Sequence, residues 1–168
     1  MKKSGLMNVF QTQYPGPVAV VVSRDPASGR VTMATQGWYM FASYVPPQLA
    51  LAVANDHATC EYIRAAGEFV LALPSCRQVE AVFFCGTRSG RLHDKTKESG
   101  FKTLPAGKVN PPLIVGACAN FECQVTAAVQ TGSHTLFVGK IVASHMDAQA
   151  GDRLFATSDG QFAGFAKS

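Results

Sequence analysis

The segment FFCGTRSGRLHDKTKESGF, residues 83–101, contains residue types that proteins use to bind small anions. Its glycines leave backbone N–H groups accessible, the hydroxyl groups of Thr87 and Ser89 can donate hydrogen bonds, and Arg88 and Lys95 carry positive charge. The segment therefore either holds an anion or is a solvated loop, which is the usual state of charged loop residues.

Most other common reactive sites are missing from the sequence. It contains neither the GxxxxGK[ST] phosphate loop nor the GxGxxG dinucleotide fingerprint, and no GxSxG element marks a serine hydrolase. Cys118 and Cys123 would point to opposite faces of one strand, and no cysteine or histidine pair has the spacing of a zinc site. We therefore expect no metal. For Cys85, composition favours a buried apolar role over a reactive thiol.

The composition predicts a single domain over residues 1–168. The chain has 168 residues, 47% of them hydrophobic, which is enough for one core that can enclose a ligand. Its net charge of +4 is spread along the chain, which argues against a nucleic-acid partner and fits one small anionic ligand.

Five cysteines, an odd number, argue against a disulfide framework and favour a reducing compartment. Because we find no leader-like segment or membrane-spanning apolar run, we expect a cytoplasmic protein without membrane contact.

Short segments rich in β-forming residues dominate the hydrophobic pattern. They lie at 17–22, 31–35 and 48–53 and are separated by turns that contain proline and glycine. Longer strands are expected at 113–130 and 135–144, joined by the hairpin turn TGSH. The pattern predicts a mainly β protein whose antiparallel sheet is closed enough to be a barrel.

Two helices interrupt the strands. Helical periodicity covers 57–67, with Gly67 as the stop, and a second helix is expected from Ser75 to a terminator at Gly86. The C-terminal tail either forms a hairpin around Asp159-Gly160 or stays loose.

The chain contains, in order, the segments VTMATQGWYMFASYVPPQLALAV, HATCEYIRAAGEFVLALP, FCGTRSGRLHDKTKESGF, FECQV and GSHTLFVGKIV. Their order, and the CGxxSGRxxDK element in particular, resemble the flavin reductase-like family of FMN-binding split barrels, most closely its flavoredoxin-type branch. The resemblance extends from about Pro17 to Val142. It implies a six-stranded antiparallel Greek-key split β-barrel with a few flanking helices. It also implies a homodimer with FMN near the subunit interface and electron transfer from NAD(P)H or a protein donor.

The same resemblance indicates which residues bind FMN. The phosphate would be met by the charge of Lys95, by Ser89 and Gly90, and by His57 and Thr59 at a helix start. The strand and following loop after Val31 would lie along the edge of the flavin ring. His134 follows a glycine turn and would contact the nicotinamide, so it is the catalytic candidate. The cofactor-binding candidates are Thr32, Ala34, Thr35, Gln36, Trp38, Ser43, Tyr44, His57, Thr59, Cys85, Ser89, Gly90 and Lys95.

Several of these assignments have a structural alternative. Trp38 is favoured as a packing aromatic that forms a wall of the site or of the dimer interface. The segment from Ser43 to Pro47 is either an ordinary loop bounded by proline or a backbone contact of the flavin. His93 and His145 are expected at the surface, and His134 is either a donor contact or a turn residue.

Three functions are compatible with the sequence. The first is an NAD(P)H-dependent flavin reductase, and the second is a flavoredoxin that carries electrons for a redox protein partner. The third is a split barrel that binds flavin without redox turnover.

Overall fold

The computed structural model describes residues 3–158 and 160–165. Short 3-10 turns at Gln11–Gln13 and Cys76–Gln78 accompany four α-helices and twelve strands in this part of the chain. In chain order these elements are α1 (Leu6–Phe10), β1 (Gly16–Pro17), β2 (Ala19–Arg24), β3 (Val31–Gln36), β4 (Tyr39–Tyr44), β5 (Pro47–Ala54), α2 (Ala58–Ala66), β6 (Glu68–Leu73), α3 (Val79–Thr87), α4 (Lys95–Glu98), β7 (Thr103–Leu104), β8 (Leu113–Ile114), β9 (Ala119–Thr131), β10 (His134–Met146), β11 (Arg153–Ser158) and β12 (Gln161–Phe165).

The main sheet contains seven strands in the order β3-β2-β6-β9-β10-β5-β4, and all its pairs are antiparallel. The predicted mainly β class is confirmed, although six strands were expected. The additional strand is β4, which pairs with β5 in a region predicted as a loop around Ser43 to Pro47. Its sequence YMFASY is rich in aromatic and apolar residues, which favour a pleated strand over a loop.

Strand β2 separates two hydrophobic cores, because successive side chains of a strand point to opposite faces. Val20 and Val22 pack in a core that includes Val82 of α3. Val21 faces the other way, into a core with Ile63 of α2 and Phe137 of β10. The run AVVV is therefore buried on both faces, and α2 and α3 pack on opposite sides of β2.

The two predicted helices are present, and their ends differ from the prediction in one case. Helix α2 ends at Gly67 in the left-handed conformation (φ 69°), as the glycine stop predicted. Helix α3 continues through Gly86 to Thr87, so the prediction that Gly86 ends it was wrong. A Cβ at Gly86 would lie 3.3 Å from the Thr35 side chain, so this glycine allows α3 to approach β3 closely.

The remaining predicted strands are largely confirmed. The hairpin between β9 and β10 turns at 132–133, whereas the predicted strand 113–130 is divided into β8 and β9. The C-terminal tail forms the hairpin β11-β12, which joins β1 in a separate three-stranded sheet. Asp159 of that turn lies outside the described residues. Within 3–158 and 160–165, no helix is long and apolar enough to cross a membrane.

Candidate functional site

Two connected cavities lie where β3, α2 and α3 meet. The first, which we call the loop cavity, has a volume of about 330 Å³ and is bounded by the start of α2 and the loop that follows α3. The second, the aromatic cavity, has a volume of about 460 Å³ and lies between α3, the end of β3 and the C-terminal hairpin. Thr35, Gly86 and Thr87 line both cavities, so the two cavities adjoin, and we refer to them together as the cleft.

The start of α2 supplies hydrogen-bond donors to the loop cavity. His57 precedes the helix with an extended backbone (φ −77°, ψ 139°), and its side chain makes no capping hydrogen bond. The first N–H groups of a helix have no intrahelical acceptor, so those of Ala58 and Thr59 are available to an anion in this cavity. Both residues line it, together with the exposed imidazole of His57.

Lys95 enters the cavity because a tight local motif directs it inward. The Asp94 carboxylate accepts a hydrogen bond from the Thr96 N–H at 3.2 Å and caps α4. Glu98 accepts one from the Asp94 N–H at 2.7 Å. These reciprocal bonds fix the first turn of α4 and leave Lys95 pointing away from solvent.

The Lys95 side chain is only 3% exposed, so the interpretation of this residue as a solvated loop charge was wrong. Its Nζ donates hydrogen bonds to the carbonyl oxygens of Met33, at 2.7 Å, and Cys85, at 2.8 Å. Burial lowers the pKa of the Lys95 ammonium. An ammonium has three N–H donors, and two are used to tie the loop to β3 and α3. One donor remains for a ligand in the loop cavity, which Lys95 lines.

Close packing makes Gly90 necessary in the loop. A Cβ at this position would lie 2.1 Å from Oγ1 of Thr32, a residue that is 1% exposed. The backbone of the loop therefore lies directly against β3. Thr32 is behind the loop and is not part of the cavity wall.

The two arginines of the loop differ in whether their side chains have a partner. Arg91 pairs with Glu61 at 2.9 Å and is thereby held on the outside of α2. Arg88 lines the loop cavity, and its guanidinium makes no hydrogen bond or ion pair within the described part of the chain. Arg88 is therefore the cation that is most free to move toward a ligand.

Cys85 lies at the inner end of the loop cavity and is 2% exposed. Burial raises the pKa of its thiol to about 11. The thiol is therefore protonated at neutral pH and is a poor nucleophile.

The aromatic cavity has a group of tilted, neighbouring rings on one side. The indole of Trp38 lies 4.9 Å from the imidazole of His134 at an angle of 40°, and its other neighbour is Phe10, 6.1 Å away. Nδ1 of His134 is 2.8 Å from Oγ of Ser133, which orients the ring. Phe83 and residues of the C-terminal hairpin form the opposite side of the cavity. This arrangement provides a mostly apolar slot with an imidazole at its rim.

The structure brings most of the predicted site residues together. Those in the loop cavity are Ala34, Thr35, His57, Thr59, Cys85, Ser89, Gly90 and Lys95. Those in the aromatic cavity are Thr35, Gln36, Trp38 and His134. Those that line neither cavity are Thr32, Ser43 and Tyr44. Tyr44 is 96% exposed at the tip of the β4-β5 hairpin, far into solvent.

Sequence reasoning missed two parts of the cleft. The segment from Gln13 to Val18 and the C-terminal hairpin residues Ala156 and Phe162 line the aromatic cavity. Neither segment has a polar motif that could have marked it. Arg88 was also omitted, although its charge in a glycine-rich loop was a usable signal. Within the described residues no cluster of histidine, cysteine and acidic side chains could hold a metal.

Comparison with known proteins gives consistent results. A family model described as "Flavin reductase like domain" matches residues 11–165. The NADH-dependent flavin reductase StyB of Pseudomonas fluorescens is 29% identical over 85% of this chain and 83% of its own length.

Two solved structures have nearly the same fold. A flavoredoxin from Methanosarcina acetivorans superposes with a TM-score of 0.86 and 27% identity, over 100% of this chain and 93% of its own. An FMN-binding protein from Thermus thermophilus, crystallised with p-hydroxybenzaldehyde, superposes with a TM-score of 0.88 and 25% identity, over 100% of this chain and 96% of its own.

Proposed function

The chain belongs to the flavin reductase-like domain family, and from this premise we propose that it is an FMN-binding oxidoreductase. It would take electrons from NAD(P)H or a protein donor and pass them to an acceptor such as a flavin, a ferric complex or a protein. The observation that carries the proposal is the cleft formed by the two adjoining cavities, which is rich in donors at one end and aromatic at the other.

The residues of the cleft fit the chemical parts of FMN. A phosphate needs cations and N–H donors, and the loop cavity offers Lys95 and the first turn of α2. An isoalloxazine needs a flat apolar slot with polar edges, and the aromatic cavity offers Trp38 with the polar Gln36 at its rim. Bound FMN supplies the hydride and electron chemistry, while the protein positions it and excludes water.

We favour FMN over FAD because the donors of the loop cavity suit a terminal phosphate monoester. In FAD the corresponding phosphate is a diester that continues into an adenosine, so it carries less charge and needs an exit. FMN binding by the Thermus thermophilus relative supports the same choice.

His134 is the residue we propose to contact the electron donor. Its imidazole stands at the rim of the aromatic cavity against Trp38, where a nicotinamide beside the flavin ring would lie within reach. The similarity to StyB supports NADH as donor. The similarity to a flavoredoxin supports the second candidate function, an electron carrier that is reduced by a partner protein.

Flavin titration tests the proposal directly. Apoprotein should bind FMN more tightly than riboflavin, because only FMN has the phosphate. Equal affinity for both would contradict the assignment of the loop cavity, and a preference for FAD would replace the cofactor. Stopped-flow reduction of the FMN complex by NADH or NADPH then separates the two functions, since a flavoredoxin would be reduced slowly by either nucleotide.

We also propose a homodimer of this single 1–168 domain. Strand β4 and its hairpin expose Met40, Phe41, Tyr44 and Val45, at 61%, 57%, 96% and 92%. Apolar surfaces of this kind are usually covered, and the patch continues to Trp38 at the cleft. Light scattering should give twice the 17.9 kDa chain mass. A monomer at micromolar concentration would contradict this, and a Phe41→Glu variant that remains dimeric would show that β4 does not form the interface.

A further inference from the structure

A third cavity lies on the outer side of α3. We call it the α3 groove. It has a volume of about 410 Å³ and separates the exposed face of α3 from the C-terminal hairpin. Its walls are mainly apolar and are formed by Val79, Phe83, Phe84 and Phe162. Val79 and Phe83 are 36% and 49% exposed, so their apolar surface in the groove is uncovered within the described chain.

The α3 groove adjoins the aromatic cavity. Phe83, Thr87, Gly160 and Phe162 line both spaces and make up the partition between them. Gly160 has φ 71°, and a Cβ there would lie 3.7 Å from the Phe83 ring, so the hairpin backbone packs against this partition. A molecule in the groove would therefore lie against the same residues as the contents of the aromatic cavity.

Opposite charges lie near the two ends of the groove. Glu80 is in the first turn of α3 and Arg88 immediately follows its last residue. The two residues are eight positions apart, which corresponds to roughly 12 Å along a helix. The Arg88 guanidinium has no side-chain partner within 3–158 and 160–165, so it is available to a ligand. The groove is therefore suited to a flat molecule with its negative charge at the Arg88 end.

We propose that the α3 groove binds a flat aromatic anion about the size of one or two fused rings. The phenylalanine rings contact its faces and edges, and Arg88 pairs with its acidic group. The groove adjoins the cleft assigned to FMN and shares Thr87 and Arg88 with the loop cavity, whereas Val79, Glu80 and Phe84 line neither part of that cleft. The inference rests on the proposed function in one respect, because this molecule is a second ligand only if the cleft binds flavin. Binding of the molecule itself needs no cofactor.

Calorimetric titration with naphthoate, and with its uncharged amide, tests the site. Naphthoate should bind to the FMN-loaded protein with a stoichiometry of one per chain and without releasing flavin. The variant Val79→Trp fills the groove and should weaken naphthoate binding more than tenfold while FMN affinity stays within twofold, because Val79 lines neither part of the cleft.

Arg88→Gln tests the charge. It should weaken naphthoate by about tenfold and leave naphthamide nearly unchanged. FMN affinity is measured in the same variant, because Arg88 also lines the loop cavity. The exposed Arg77→Gln, at the other end of this helical segment, is the matched control and should change none of these affinities.

Four results would overturn the proposal. They are absence of naphthoate binding, displacement of FMN by naphthoate, binding that is insensitive to Val79→Trp, and a change of oligomer mass in that variant. The last would assign the groove to a second copy of the chain. Failure of the proposed function is distinguishable, because apoprotein that binds no flavin would still bind naphthoate in a manner that Val79→Trp abolishes.

Discussion

Replacing Lys95 by methionine separates its role as a structural tie from its proposed role as a ligand of the FMN phosphate. Methionine keeps most of the apolar stem and removes the ammonium. Two carbonyl oxygens, those of Met33 and Cys85, then lose their donor in a buried site. An unsatisfied buried polar group costs about 1 to 3 kcal/mol, and removal of a buried charge offsets part of this. We expect the free energy of unfolding of the apoprotein to fall by about 2 to 4 kcal/mol.

The effect on flavin binding has a different signature. A hydrogen bond to a charged group contributes about 1.5 to 3 kcal/mol, so FMN affinity should fall about 10- to 100-fold. Riboflavin lacks the phosphate, so its affinity should fall by less than about threefold. The quantity that identifies phosphate contact is therefore the ratio of the two affinities.

The matched control is Lys97→Met in the same short helix. Lys97 is exposed and pairs with Asp94 at 3.1 Å, so its loss should change stability by at most about 0.5 kcal/mol. Urea unfolding of apoprotein and fluorescence titration with both flavins provide the measurements. If Lys95→Met lowers stability but leaves the affinity ratio unchanged, Lys95 is a structural tie only. If neither quantity changes, the hydrogen bonds to the two carbonyls contribute nothing and the reasoning fails.

Three further predictions concern other parts of the chain. Gly90→Ala should lower FMN affinity at least about tenfold, because the added Cβ meets Thr32. Titration should show that FMN affinity recovers in part when Thr32→Ala is added and does not recover when Thr32→Val is added. Four hydrogen bonds, one from His145 and three from backbone N–H groups, outweigh burial and lower the pKa of Glu122. A carboxyl group with a lowered pKa stabilises the folded state at pH values above the pKa of the unfolded chain, and this stabilisation is lost as the pH falls. Glu122→Gln should therefore lower the free energy of unfolding at about pH 7 and change it little at about pH 3. A cost in stability that does not depend on pH would refute this. His134→Ala should slow reduction of the bound flavin by NAD(P)H without changing FMN affinity, and an unaltered stopped-flow rate would leave this residue with a structural role.

Local patterns in the sequence were enough to identify the main features of the site. The glycine-rich basic loop and the helix start at His57 both line the loop cavity. They were identifiable because glycine, hydroxyl and cationic residues concentrate within one short segment. Tyr44, by contrast, was a candidate because the segment from Ser43 to Pro47 could contact the flavin through its backbone, whereas the hairpin carries this residue 96% exposed into solvent.

Sequence reasoning also failed to assign residues near the two ends of the chain to the cleft. Gln13 and Phe162 line the same cavity although 149 positions separate them, which follows from the pairing of β1 with β11. No local pattern encodes such a contact. The additional strand β4 was missed for a related reason, since its ladder with β5 is what converts a proline-bounded segment into sheet.

The sequence by itself determined the family, the mainly β class and the residues of the glycine-rich basic loop, because each depends on residue types within one segment or on the order of segments. The tertiary structure alone decided what Lys95 does. Its ammonium bonds to carbonyls 62 and 10 positions away, so its burial depends on how the loop, β3 and α3 pack together. A lysine in a polar loop is solvated by default, and only the convergence of two backbone carbonyls in one buried site makes the inward orientation the more stable one.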